Sequence, residues 1–203
     1  MDSYVVIDVE TTGFNSQSDD IIQIGAWRIE NGVAVSCFDT LVKPTMSVPR
    51  EVTKITGITN EMVASELTFE EICPDLMDFV GDLPLLGHNL IFDYTFISTK
   101  AKRAGYDFTK KGLRTGICTL KLARKYLSNI PSRKLGDLAD FFKINLEGGA
   151  LHNAKYDAYM TKLIYDRFKD KYSNISTVVI PEYISQPEKS YGKETKTETL
   201  SFT

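Results

Sequence analysis

The sequence predicts an α/β domain on a mixed sheet, antiparallel at its start and parallel afterwards. Two observations lead there. Two β-branched runs, residues 21–29 and 33–42, flank an Asn31-Gly32 pair, the signature of a tight hairpin, and a third run at residues 4–9 precedes them. After this opening meander, short apolar runs alternate with segments of helical period, as parallel strands joined by helices do.

Taken in order, residues 4–9 form a strand that ends in a Thr11-Thr12-Gly13 turn, and the hairpin follows. Thr68 and Glu71 have capping-box spacing ahead of Ile72, Leu76, Phe79 and Val80, which recur at helical intervals. Pro74 within that stretch predicts a helix that starts late or bends. Residues 85–88 read as a short buried strand, and residues 92–104 as a helix stopped by Gly105. Residues 119–126, 134–142 and 154–169 are further helices. From residue 173 the composition turns polar, so the expected division is a domain at 1–172 and a C-terminal extension or arm at 173–203. Within the extension, residues 177–184 are compatible with one more strand.

The 203 residues are enough for one self-sufficient core, and 42% apolar with 25% charged residues is ordinary for a globular chain. No run approaches the roughly 18–20 apolar residues of a membrane span. The N-terminus lacks the basic start of a secretory signal. Cys37, Cys73 and Cys118 are odd in number and widely spaced, which points to free thiols in a reducing compartment, hence the cytoplasm, with no membrane partner. The net charge of −3 is uneven: residues 100–134 hold eleven Lys or Arg against Asp107 alone, +10, leaving −13 elsewhere. Two readings are open, a basic rim for phosphates beside an acidic centre or a set of solvated helix faces.

Three stretches carry candidate chemistry. In Asp8-Val9-Glu10 the two acids project from one strand face while Val5, Ile7 and Val9 share the other. Like charges so close repel unless something positive lies between them. Gly13, just beyond, permits close approach of backbone to a ligand. Asp93 heads a helical stripe with Phe96, Ile97, Ala101 and Ala104, and Asp157 heads another with Met160, Thr161, Ile164 and Phe168. An acid leading an inward stripe is partly buried and needs a bond or a cation. The chain has two histidines, each five residues before one of these acids. His88 ends a strand and reads as locally bonded; His152 follows Gly148-Gly149 in a loop, free to approach a reaction centre. Four converging carboxylates without cysteine suit Mg²⁺ or Mn²⁺, and with one histidine they match two-metal phosphoryl hydrolysis.

The ordered motifs Asp8-Val9-Glu10-Thr11-Thr12-Gly13, His88-Asn89-Leu90-Ile91-Phe92-Asp93 and His152-Asn153-Ala154-x-x-Asp157 resemble those of the DEDDh 3′-5′ exonucleases, a group that includes the proofreading epsilon subunit of bacterial DNA polymerase III. Ile55-Thr56-Gly57-Ile58-Thr59 and Thr119-Leu120-Lys121-Leu122-Ala123-Arg124 also look like the family, although members often carry His at the place of Thr56 and Asp at that of Cys118. The resemblance implies a ribonuclease H-like fold with a mixed five-stranded sheet flanked by helices. It implies Asp8, Glu10, Asp93 and Asp157 as ligands of two divalent ions, Mg²⁺ or Mn²⁺, with His152 as general base. Thr11, Thr12, Gly13, Phe14, Ile58, Asn89 and Phe92 would seat the terminal nucleotide, with plain core packing the competing role for Phe14. The implied partner is a nucleic acid 3′ end, single-stranded DNA before RNA, and the product a nucleoside 5′-monophosphate. A DNA polymerase or sliding clamp is a further possible partner, to which Thr199-Leu200-Ser201-Phe202 bears a faint peptide likeness. The alternatives are an exoribonuclease or oligonucleotide-degrading enzyme, and a polymerase-associated interaction module.

Overall fold

A computed structural model describes residues 3–108, 115–145, 152–172, 175 and 178–179. Its centre is a sheet of β1 (Tyr4–Thr11), β2 (Ile21–Glu30), β3 (Val33–Leu41), β4 (Leu85–Gly87), β5 (Thr115–Cys118) and β6 (Val178–Val179), in the order β3-β2-β1-β4-β5-β6. The first three strands are an antiparallel meander, whereas β4 and β5 run parallel to β1. The five-stranded mixed sheet is thus present, with β6 added antiparallel at the β5 edge. Asn31 and Gly32 both take positive φ, 51° and 81°, the twist a two-residue turn needs between right-twisted strands. The rest of the polar tail, Gly148-Gly149 and the terminal Thr199–Phe202 motif lie outside the described residues.

Alternation along β1 splits the core into two layers. Val5, Ile7 and Val9 pack with α3 (Phe69–Val80) and α4 (Leu90–Arg103) on one face. Tyr4 and Val6 pack with α5 (Thr119–Tyr126), α6 (Leu135–Phe141) and α7 (Ala154–Lys171) on the other. Two short helices, α1 (Arg50–Thr56) and α2 (Asn60–Val63), cover a satellite cluster of Ile22, Val48, Ile58 and Val63.

Two expectations are corrected. α3 does not start late: it begins at Phe69, with the Glu71 carboxylate accepting from the Thr68 N–H (2.8 Å) and hydroxyl (2.9 Å), and it runs through Pro74. Proline removes the bond to the Glu70 carbonyl, but Glu70 is on the wet face while six apolar residues of the helix are buried. α4 begins two residues earlier than its stripe suggested, because Asn89 takes a left-handed turn (φ 61°) that drops Leu90 into the core. It ends as expected at Gly105, where the Gly105 N–H bonds the Lys102 carbonyl and the Tyr106 N–H that of Ala101, a Schellman pattern.

Candidate active site

β4 pairs with β1 only at Val5 and Val6 and then ends at Gly87, while β1 runs on to Thr11. The far half of β1 therefore presents a free edge where the parallel strands part, the usual place for a site in an open α/β sheet. α4 begins there. Its fourth residue, Asp93, is 2% exposed, and its Oδ1 accepts the Val9 N–H at 3.1 Å. An acid borne on one face of the sheet is thus drawn to the strand edge beside Asp8.

Asp8 and Glu10 look toward the opposite face, where α7 arrives. Gly25 of β2 pairs with Asp8, and a Cβ placed on Gly25 would lie 2.1 Å from the Lys155 nitrogen and 2.2 Å from the Ala154 carbonyl carbon. Only glycine lets the helix start rest on the strand at this depth. The side chains on either side along the same face complete the seat. Gln23 Oε1 accepts the Ala154 N–H (3.2 Å), and Trp27 Nε1 donates to the Lys155 carbonyl (3.0 Å). So seated, α7 places its fourth residue, Asp157, over β1; Asp157 Oδ2 accepts the His152 N–H at 3.0 Å.

The acids sense one another. Burial, then the charges of Asp93, Glu10 and Asp157, holds the Asp8 carboxyl well above the ordinary carboxylate range. Burial and the Asp157 charge push Glu10 up to about 7. Asp93 is raised by burial and by Glu10 despite its bond from Val9, and Asp157 is raised by burial despite the bond and charge of His152. Among the described residues, ligand atoms of Glu10, His152 and Asp157 fall within 4.8 Å of one another. His152 itself is exposed, in a left-handed backbone turn (φ 66°) just ahead of α7. Carboxylate oxygens with one imidazole form a donor set for a hard divalent cation. Bringing a positive charge among them would lower every one of these raised carboxyls.

His88 is elsewhere: its Nδ1 meets the Thr119 hydroxyl at 2.9 Å, and burial pushes it down to about 4, so it stays neutral, bonded locally as expected. Phe14 is 91% exposed, which overturns the core-packing alternative; its ring meets Phe92 edge-on at 6.5 Å, and Phe92 in turn meets Phe96. Asn89 is exposed at the head of α4. Ile58 is a correction: it is 3% exposed within the satellite cluster, so its side chain has no open face for a base. The Thr12 hydroxyl is likewise committed, accepting the Asp20 N–H at 2.9 Å, and the Thr11 hydroxyl donates to the Gly13 carbonyl at 2.6 Å. Beside Gly13 lies the Asp19 carboxylate, which occupies the space a Cβ would take.

The basic segment divides in two. Lys100 is buried against Asp20, and Arg103 and Arg133 donate to backbone carbonyls, whereas Arg124, Lys125 and Lys134 are exposed. Lys110, Lys111 and Arg114 lie outside the described residues. Two features escaped the sequence reading: the Gly25 seat, for which a lone strand glycine was the available signal, and the Asp20–Lys100 pair, which has no sequence signature.

A sheet of this topology with acids gathered from β1, α4 and α7 defines a nuclease of ribonuclease H-like architecture. Solved structures share it. Exonuclease X, solved with 5′ overhanging duplex DNA, superposes with a TM-score of 0.69 at 25% identity, over 84% of this chain and 93% of that one. Escherichia coli exonuclease I, solved with a dA16 oligonucleotide, gives 0.75 at 19% identity over 85% and 42%, a likeness of fold. The chain belongs to the exonuclease family, whose model matches residues 5–165, and it is a 3′-5′ exonuclease. It is 38% identical over 165 residues to the DNA polymerase III epsilon subunit of Aquifex aeolicus, covering 80% of this chain and 78% of the relative. It is 36% identical over 173 residues to the PolC-type DNA polymerase III of Clostridium perfringens, of which it spans only 12%. No helix among the described residues is long and apolar enough to cross a membrane.

Proposed function

We propose that this exonuclease hydrolyses the terminal phosphodiester of a DNA strand, frees nucleoside 5′-monophosphates and serves as an epsilon-like proofreading subunit. The observation that carries the reading is the crowding of Asp8, Glu10, Asp93 and Asp157 into one pocket with the exposed His152 beside Glu10 and Asp157. These four carboxylates would hold two divalent ions, Mg²⁺ or Mn²⁺. Such ions supply charge neutralisation for the phosphate and the departing oxygen and acidify a nearby water. His152, on the solvent side of the pocket, accepts the proton of the attacking water, whose oxygen bonds to phosphorus as the bond to the 3′ oxygen breaks. The departing oxygen takes a proton from solvent.

Phe14, exposed and backed by Phe92, offers a face on which the terminal base stacks, and a stacked base is recognised without regard to sequence. Asn89 and the turn from Thr11 to Gly13 border the same edge. A frayed single-stranded end reaches this edge more readily than a paired one, since unstacking costs a few kcal/mol per step. The free thiols and the likeness to polymerase subunits favour a cytoplasmic enzyme working beside a polymerase. Incubating a 5′-labelled single strand with protein and Mn²⁺ should give a ladder of shortened products, lost with EDTA or in Asp8→Ala. A matched RNA strand should be cut more slowly. Absence of a ladder on both strands would sink the reading.

A further inference from the structure

The loop from Thr12 to Asp20 joins β1 to β2 and carries the exposed Phe14. It is closed at its base by two bonds, Thr12 N–H to the Asp20 carbonyl (2.8 Å) and Asp20 N–H to the Thr12 hydroxyl (2.9 Å). The Asp20 side chain then points into the protein, 8% exposed by residue. Its Oδ1 accepts from Lys100 Nζ at 2.6 Å, and its Oδ2 accepts from the Thr45 N–H (2.8 Å) and hydroxyl (2.6 Å). Burial alone would raise this carboxyl, yet the bonds from Lys100 and Thr45 hold it below its ordinary range. Lys100 is 5% exposed and sits seven residues past Asp93, on the same face of α4. Two further contacts tie the loop to that helix: Thr99 Oγ1 to Ser16 Oγ at 3.4 Å, and Arg103 to the Gln17 carbonyl at 2.7 Å.

α4 therefore does two things at once. Its first turn presents Asp93 and Phe92, and its last two turns hold the loop whose Phe14 ring meets Phe92. A buried ion pair is a poor way to gain stability, because apolar residues of similar volume usually do as well. It does impose one geometry, since neither charge tolerates a shifted partner in a dry site. We propose that Asp20 and Lys100 are positioning residues that lock the nucleotide-seating loop to α4, setting Phe14 at a fixed distance from the carboxylate cluster. This proposal rests on the reading of Phe14 as a base platform.

The test is Asp20→Asn/Lys100→Met, which removes both charges together and avoids stranding either one. KM for a short single strand should rise on the order of tenfold, while kcat stays within about threefold. Phe14→Ala should raise KM in the parent yet add little in the double variant, because the platform is already misplaced there. A merely structural pair would lower the yield of folded protein and leave the effect of Phe14→Ala on KM undiminished in the double variant. Unchanged KM in folded double variant, or additive effects of Phe14→Ala, would overturn the lock. Amide hydrogen exchange supplies an arm independent of turnover. Thr12 and Asp20 N–H should exchange at least about tenfold faster in the double variant with Ile7 and Ala26 unchanged. Unchanged Thr12 exchange, or a uniform rise through the sheet, would overturn the lock even were the parent inactive on DNA. Inactivity of the parent would sink the functional reading alone.

Discussion

Gly25→Ala isolates what the seat of α7 contributes. The added Cβ would lie 2.1 Å from the Lys155 nitrogen and 2.2 Å from the Ala154 carbonyl carbon, both backbone atoms with no rotamer to escape into. Restoring a contact of about 3.5 Å requires the helix start to retreat by about 1.4 Å. Overpacking of this kind costs about 1–3 kcal/mol, so Tm should fall by roughly 3–10 °C in a chain of this size. The larger effect falls on chemistry. Asp157 and the His152 backbone ride on that helix start, and misplacing a reacting group by about 1 Å costs about a hundredfold in rate. We expect kcat on a labelled strand to drop by about two orders of magnitude at a temperature where the variant remains folded. Since the start of α7 covers Gly25, a kcat within threefold of the parent would refute the claim that strand-to-helix contact sets the position of Asp157.

Three further outcomes follow from the site. Glu10 is raised to about 7 from 4.5, so in the metal-free protein its ionisation opposes folding. Stability from this group is full below about pH 4.5 and falls as pH rises to about 7, by about 3 kcal/mol at most; Asp8, Asp93 and Asp157 act in the same direction. Tm in EDTA should fall between pH 5 and 7.5, and Mn²⁺ should raise it more at pH 7.5; a flat EDTA profile would contradict the raised carboxyls. His152→Ala should lose about 10²–10⁴ of kcat while calorimetry still detects Mn²⁺ binding, and unchanged turnover would remove His152 from proton transfer. Phe14→Ala should leave Tm essentially unchanged, because the ring is 91% exposed, yet weaken strand binding by about 1–3 kcal/mol, read as KM; an unaltered KM would dismiss the platform.

The sequence was most legible where one local rule governed. Asn31-Gly32 fixed the hairpin, the alternation in residues 4–10 fixed which face bears acids, and Gly105 fixed the end of α4. It was least legible where the determinant was distant. β5 spans only Thr115–Cys118, too short to show a period, and its parallel partner lies 31 residues earlier, Leu85 against Gly116. α1 buries no residue, so no apolar stripe announced it. At the site, the four acids and His152 stood out by residue type and spacing, but which side chains near the base platform are free depends on packing. Phe14 and Ile58 looked alike as apolar candidates, and only the satellite cluster around Ile22 and Val48 separates the exposed one from the buried one.

Asp93 and Asp157 each occupy the fourth position of a helix, and the positive end of a helix dipole stabilises an anion there. That contribution is about 0.3–1 kcal/mol, below what burial beside other carboxylates takes away, as the raised Asp8, Asp93 and Asp157 carboxyls attest. The pocket is therefore negative against the preference of its own side chains. It is kept so by contacts that do not titrate: the Val9 N–H on Asp93, the His152 N–H on Asp157 and the Gly25 backbone under α7. A ligand that relieves this repulsion must bind the folded chain better than the unfolded one, so divalent cation and native structure stabilise each other by mass action. Cation-free stability and cation affinity should therefore move in opposite directions across carboxylate variants. A variant that gains stability without cation, such as Asp93→Asn with the Val9 bond preserved, should lose cation affinity in proportion.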